Sequence, residues 1–101
     1  VGEQCLERDI EKYLVARCKE LGILCEKFTS PQRRSVPDRI LTYDGIILFL
    51  ELKATGKKPS AAQNRDHANR EAHGARVRWV DSKDGVDRVL RLITQCLRGP
   101  D

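Results

Sequence analysis

No methionine occurs in the 101 residues, tryptophan occurs once, and phenylalanine and tyrosine twice each. With so few aromatics, a stacked-ring platform of the kind used by single-strand binders is not expected, and Trp79 and Phe49 are expected in the core. Without methionine, we expect the natural start of the chain to precede Val1. No apolar run approaches the ~20 residues that a membrane-spanning helix needs. No basic-then-apolar leader opens the sequence. We therefore expect a soluble, intracellular chain with no membrane partner. Cys5, Cys18, Cys25 and Cys96 show no C-x-x-C spacing, and no histidine stands at zinc-ligand distance from a cysteine pair. All four are expected to be reduced, with Cys18 and Cys96 acting as small apolar members of helical patterns.

Hydrophobic residues make up 40% and charged residues 34% of the chain. That mixture suits a folded domain and argues against disorder. The length points to one domain spanning residues 1–101. The net charge is only +4, but it is unevenly placed. Residues 53–78 hold seven Lys or Arg against two Asp or Glu. A concentrated basic third is what a face that meets a polyanion requires.

Leu6, Ile10, Tyr13, Leu14, Cys18 and Leu21 repeat at helical spacing and stop at Gly22. Residues 23–29 read as a strand, and residues 30–37 as an irregular basic loop. Two further strands, 38–43 and 46–53, flank Asp44-Gly45, a strong hairpin signal. Ser60 followed three positions later by Gln63 matches a capping box, and Gly74 closes the helix it begins. Residues 76–80 form a further strand, and Val86, Val89, Leu90, Ile93 and Leu97 mark a last helix. The order α-β-β-β-α-β-α predicts an α/β fold with a mixed central sheet flanked by helices.

The hairpin brings chemistry together. A two-residue Asp44-Gly45 turn pairs Tyr43 with Ile46, which places Asp38 opposite Glu51. Directly opposed residues have Cβ atoms roughly 4.5–5.5 Å apart, so two carboxylates there need a counter-charge. Residues 46–50 are all apolar, as in a strand buried on both faces. A divalent cation supplies that charge, and hard oxygen ligands select Mg²⁺ or Mn²⁺. Lys53 projects from the same face as Glu51, where an ammonium can offset charge developing on a phosphoryl group. Glu7 lies on the border of the first helix's apolar stripe and Glu11 further toward solvent, so Glu7 reaches a helix–sheet seam more easily. Gln63 has two readings, helix cap or site residue. His67 and His73 are expected to be exposed helical histidines, since the stretch that holds them reads as a capped helix rather than the hairpin of an HNH motif. Ala61, Ala68, Ala72 and Ala75 form a thin apolar stripe, which leaves the other faces of that helix for phosphate contacts by Arg65 and Arg70.

Pro37-Asp38 followed by Glu51-Leu52-Lys53 after a hydrophobic strand matches the PD-(D/E)XK nuclease pattern. With Glu7, Ile10-Glu11, residues 27–31, residues 34–39, Ala54 and residues 60–63, the chain resembles the VRR-NUC (virus-type replication-repair nuclease) family, in its stand-alone phage or bacterial form. The resemblance runs from about residue 7 to 82. It implies a restriction-endonuclease-like core that hydrolyses DNA phosphodiesters with Mg²⁺ or Mn²⁺. It implies Asp38, Glu51, Glu7 and the Leu52 carbonyl as metal ligands, Lys53 as the catalytic lysine, and Gln63 as the family's glutamine after the core strands. Ser35 stands where the family often has glycine. Arg33, Arg34, Lys57, Lys58, Arg65 and Arg70 are the expected DNA-binding residues. Stand-alone members resemble Holliday-junction resolvases, which implies a homodimer acting on branched DNA, in the cytoplasm of a bacterial or phage-infected cell. The alternatives are a non-catalytic nucleic-acid-binding module on the same fold, and a flap-type or exonucleolytic repair nuclease.

Overall fold

Asp44 and Gly45 both take positive φ, 49° and 80°, the conformation that lets a two-residue turn follow the natural twist of a hairpin. The turn joins β2 (Arg39–Tyr43) to β3 (Ile46–Leu52), and Tyr43 pairs with Ile46 and Arg39 with Leu50, as the turn chemistry predicts. In the computed structural model, which describes residues 4–97, these strands form the middle of a four-stranded sheet. β1 (Leu24–Lys27) pairs antiparallel with β2, and β4 (Arg76–Val80) pairs parallel with β3. The spatial order is β1-β2-β3-β4. The parallel step is crossed by α2 (Ala61–Ala72), while α1 (Glu7–Leu21) precedes the sheet and α3 (Lys83–Arg91) follows it. This is the expected mixed α/β order.

Alternation along β3 sorts the two faces. Leu48, Leu50 and Leu52 are buried in one core with Ile10, Leu14 and Cys18 of α1 and Val86, Val89 and Leu90 of α3. The opposite face carries Phe49 and Glu51 and is covered by α2, whose Gln63 reaches Glu51. β3 is thus buried on both sides at its C-terminal end, which accounts for its apolar sequence. Gly22 closes α1 with φ 73°, in the left-handed region that glycine enters without steric penalty.

Several expectations are corrected at the element ends. The first strand covers Leu24–Lys27 rather than 23–29. Phe28 nonetheless extends the ladder by donating its N–H to the Asp38 carbonyl at 2.9 Å. The last helix is α-helical only to Arg91 and continues as a π-helical turn over Leu92–Cys96. There Thr94 Oγ1 donates to the Leu90 carbonyl at 2.8 Å, a back-bond of the kind that bends helices.

The cysteines are free, as expected, but Cys96 is exposed rather than packed. Cys18 and Cys25 share a hydrogen bond between α1 and β1. That bond holds the Cys25 thiol down to about 7 and pushes Cys18 up, with Arg39 adding to the pull on Cys25. No helix among the described residues is long and apolar enough to cross a membrane.

Candidate active site

Pro37 is fully buried and delivers Asp38 to the end of β2, one residue beyond the Arg39–Leu50 pair. The Asp38 carboxylate takes up a backbone donor at once: the Leu52 N–H donates to its Oδ2 at 2.8 Å. Ser35 sits just before this segment. Asp44 is the sole non-glycine residue with positive φ among the described residues, so serine at position 35 carries no backbone strain.

Glu51 is 2% exposed. An isolated carboxylate buried this deeply is costly to ionise, and it stands beside a second one. Burial, then the Asp38 charge, push its pKa from 4.5 to about 8, and Lys53 pulls in the other direction. The Lys53 ammonium lies 3.6 Å from Glu51 Oε2, on the same side of the strand as the alternation predicts. The same oxygen accepts from Gln63 Nε2 at 3.0 Å. Gln63 fills both readings at once. Its Oε1 accepts the Ser60 N–H at 2.9 Å, and its own N–H donates to Ser60 Oγ at 3.1 Å. The cap therefore fixes which end of the amide faces Glu51.

The other oxygen, Glu51 Oε1, has no hydrogen-bond partner, and neither has His67 Nε2, which lies 3.9 Å away. These two buried atoms are the side-chain donors or acceptors left unsatisfied among the described residues. Such groups carry a full desolvation penalty unless something outside the chain satisfies them. His67 corrects an expectation: it is buried at 7% exposure, and its burial holds its pKa below the usual 6.5. A histidine four residues after Gln63 shares its helical face, and that spacing was the signal available in the sequence. His73 is exposed, as expected, with Nδ1 2.7 Å from the Asn69 carbonyl.

The first-helix acids separate. Glu11 is held by Arg39, whose Nε donates to Glu11 Oε2 at 3.1 Å. Glu7 stands at the start of α1, where partial burial and then the Asp38 charge raise its pKa while Lys53 lowers it. It therefore senses the site from the rim. Among the described residues, no three acidic, histidine or cysteine side chains converge closely enough to hold an ion between them, so Glu7 is not brought into a ready-made triad with Asp38 and Glu51. The groups that do converge are the Asp38 and Glu51 carboxylates, the first accepting the Leu52 N–H and the second beside the Lys53 ammonium. Their oxygens, one of them buried and unsatisfied, are hard donors of the kind that suits Mg²⁺ or Mn²⁺.

The expected DNA-binding residues also divide. Arg34, Lys57, Lys58 and Arg65 are exposed. Arg33 is exposed while its Nη1 reaches within 3.8 Å of Asp66 Oδ1. Arg70 is not a surface cation. It pairs with buried Asp66 at 2.7 Å and lies over the Phe28 and Phe49 rings at 5.0 and 5.1 Å. The alanine stripe is likewise reversed: Ala61, Ala68 and Ala72 are exposed, and α2 buries Asp66 and His67 instead. The face of the sheet it covers holds Glu51 and the arginine-capped phenylalanines, so polar side chains satisfy it better than alanines. Trp79, expected in the core, is 40% exposed.

The chain is 46% identical over 79 residues, 77% of its length, to "Putative nuclease p44" of Acyrthosiphon pisum secondary endosymbiont phage 1, and the match covers 85% of that protein. It superposes on a solved structure named "VRR_NUC domain" with TM-score 0.77 and 32% identity, covering 84% of this chain and 94% of that one. A second, "VRR_NUC domain protein", shares the fold at TM-score 0.78 over 97% of this chain and 95% of that one, with 12% identity. A scan against protein-family models finds no match. With a carboxylate pair and a lysine at the mouth of a mixed sheet, these likenesses define the class: the protein is a nuclease. The chain belongs to the VRR-NUC family.

Proposed function

We propose that this nuclease is a Mg²⁺- or Mn²⁺-dependent endonuclease that cuts branched DNA, acting as a homodimer on four-way junctions. The observation that carries the metal dependence is the buried Glu51 beside Asp38, with its pKa pushed up to about 8 and Oε1 unsatisfied. Asp38, Glu51 and the Leu52 carbonyl would hold the cation, with Glu7 as a further carboxylate at the rim. A cation there supplies Lewis-acid polarisation of the scissile phosphate and an acidified water. Gln63 fixes Glu51 Oε2 by donating to it, while Oε1 is left without a hydrogen-bond partner. Lys53 stands ready to offset the charge that grows on the phosphoryl oxygens. Arg33, Arg34, Lys57, Lys58 and Arg65 bind backbone phosphates, contacts that carry affinity without sequence information. A four-way junction needs two symmetric cuts, and a two-fold dimer presents two identical sites.

Labelled junctions, flaps and linear duplex are incubated with Mg²⁺, Mn²⁺ or chelator. The proposal expects paired incisions in junctions, lost in chelator and in Asp38→Ala with DNA binding retained. Cutting that persists in chelator contradicts the metal dependence. A protein that sizes as a monomer at micromolar concentration and cuts flaps better than junctions contradicts the resolvase reading.

A further inference from the structure

Cys18 and Cys25 stand seven positions apart in the sequence and meet side by side in space. The backbone fixes the reversal between them. Gly22 closes α1 by donating its N–H to the Cys18 carbonyl, and the Ile23 N–H donates to the same oxygen at 2.9 Å. The chain then turns back against the helix as β1. Cys25 pairs in register with Leu41, a member of the core that α1 covers, so its side chain leaves the sheet toward that helix. Cys18 continues the buried stripe of Ile10 and Leu14. The two side chains meet there, with the Cys18 S–H donating to Cys25 Sγ.

The two thiols are not equivalent. Cys18 is 1% exposed, whereas Cys25 is half-buried on edge strand β1. The Arg39 guanidinium, held by Glu11 of α1 at 3.1 Å, stands beside Cys25. It favours the Cys25 thiolate, while burial and the Glu11 charge oppose that form. Partial exposure beside a cation marks the thiols that oxidants attack. The second thiol already stands where a resolving cysteine must be. Neither thiol belongs to the site built on Asp38 and Glu51.

We propose that Cys18 and Cys25 form a peroxide-reactive dithiol, in which Cys25 is oxidised first and Cys18 closes a disulfide that ties α1 to β1. The Cys25 sulfur attacks one oxygen of a hydroperoxide. The O–O bond breaks, and the other oxygen leaves as hydroxide or alkoxide and takes up a proton. The Cys18 sulfur then attacks the Cys25 sulfur of the sulfenic acid, the S–O bond breaks, and that oxygen departs with the Cys18 proton as water. The two thiols lose two electrons, and the hydroperoxide gains them. The link closes a ring over residues 18–25 and removes freedom from the unfolded chain. Exchange with an external thiol reopens it.

Reduced wild-type protein is treated with an equimolar amount of hydrogen peroxide, alkylated in urea and digested with trypsin without reductant. Cleavage after Arg17, Lys19 and Lys27 puts the two cysteines on different peptides, so a surviving link between 18–19 and 20–27 is the disulfide itself. The expected result is that linked pair, a mass lower by two hydrogens, and Cys96 still alkylated although it is the exposed cysteine. Tm should rise by about 5 °C or more and fall back with dithiothreitol. In Cys18→Ala, dimedone should trap Cys25 as its sulfenic acid. Loss of the Cys96 thiol while Cys18 and Cys25 stay alkylated overturns the proposal. So does Cys25 sulfinic acid with no link, because Cys18 would then not be placed to resolve it. A linked pair with a lowered Tm contradicts it as well, since the bond would form only by forcing α1 and β1 out of place.

Discussion

The Gln63 side chain spans from the Ser60 N–H, which its Oε1 accepts at 2.9 Å, to Glu51 Oε2, to which its Nε2 donates at 3.0 Å. One amide thus starts a helix and aims an acid. Removing it is expected to register in two assays at once. Gln63→Ala should lower stability by about 1 kcal/mol, the usual worth of a cap, and cut the rate about 10- to 100-fold, as loss of a residue that orients a metal ligand does. Ser60→Ala should cost similar stability and a smaller part of the rate, since it frees the amide without deleting it. Thermal unfolding and initial rates measure both effects. An unchanged rate in Gln63→Ala would show that the contact to Glu51 is incidental.

The raised pKa of Glu51 makes the metal-free fold sensitive to pH. Its folded value of about 8 lies above the ordinary 4.5, so the folded state binds the proton more tightly. The resulting stabilisation is fully present below pH 4.5, fades between 4.5 and 8, and is absent above 8. Urea unfolding in chelator should show wild type losing stability over that window relative to Glu51→Gln, by on the order of a few kcal/mol. The same variant should lose more than ~100-fold in cleavage. Parallel stability curves for the two proteins would contradict the burial account.

Much of this arrangement is legible in the sequence because local chemistry dictates it. Asp44-Gly45 fixes the hairpin register, and the register alone puts Asp38 at the level of Glu51. Ser60 and Gln63 announce their cap three residues apart. The misread positions share a physical reason: each depends on which element lies across from it. The small apolar stripe of α2 suggested its inner face, but that helix covers charged Glu51, so Asp66 and His67 turn inward and the alanines outward. Arg70 reads as a surface cation until Phe28 and Phe49 are seen beneath it. Trp79 reads as core until β4 proves to be the sheet edge.

Lys53 lies 3.6 Å from Glu51 and lowers its pKa against the upward pressure of burial. Lys53→Met should therefore act in two ways. The rate is expected to fall by ~100-fold or more through loss of charge stabilisation. The acidic limb of the pH–rate profile should also move up, because Glu51 loses the cation that favours its ionised form. A rate loss with an unmoved profile would assign Lys53 to the phosphate alone.

The cations divide into surface and structural sets, and salt separates them. Neutralising Arg33, Arg34, Lys57 and Lys58 together should weaken DNA binding and flatten its dependence on salt, by about 0.9 in the logarithmic slope for each duplex phosphate that is no longer neutralised. Arg70→Ala should instead lower stability by about 2 kcal/mol or more, because it strands buried Asp66 and uncovers two rings. An Arg70→Ala protein with wild-type stability and a flattened salt slope would return Arg70 to the DNA face.

Calorimetric titration of Mn²⁺ into the free protein at pH 6, 7 and 8, in buffers of different ionisation heat, tests the carboxylate pair most directly. The account predicts affinity that rises with pH, release of a proton on binding below pH 8 as Glu51 ionises, and loss of binding in Asp38→Ala and Glu51→Gln. Mn²⁺ binding that is independent of pH, or that survives in both variants, would contradict it.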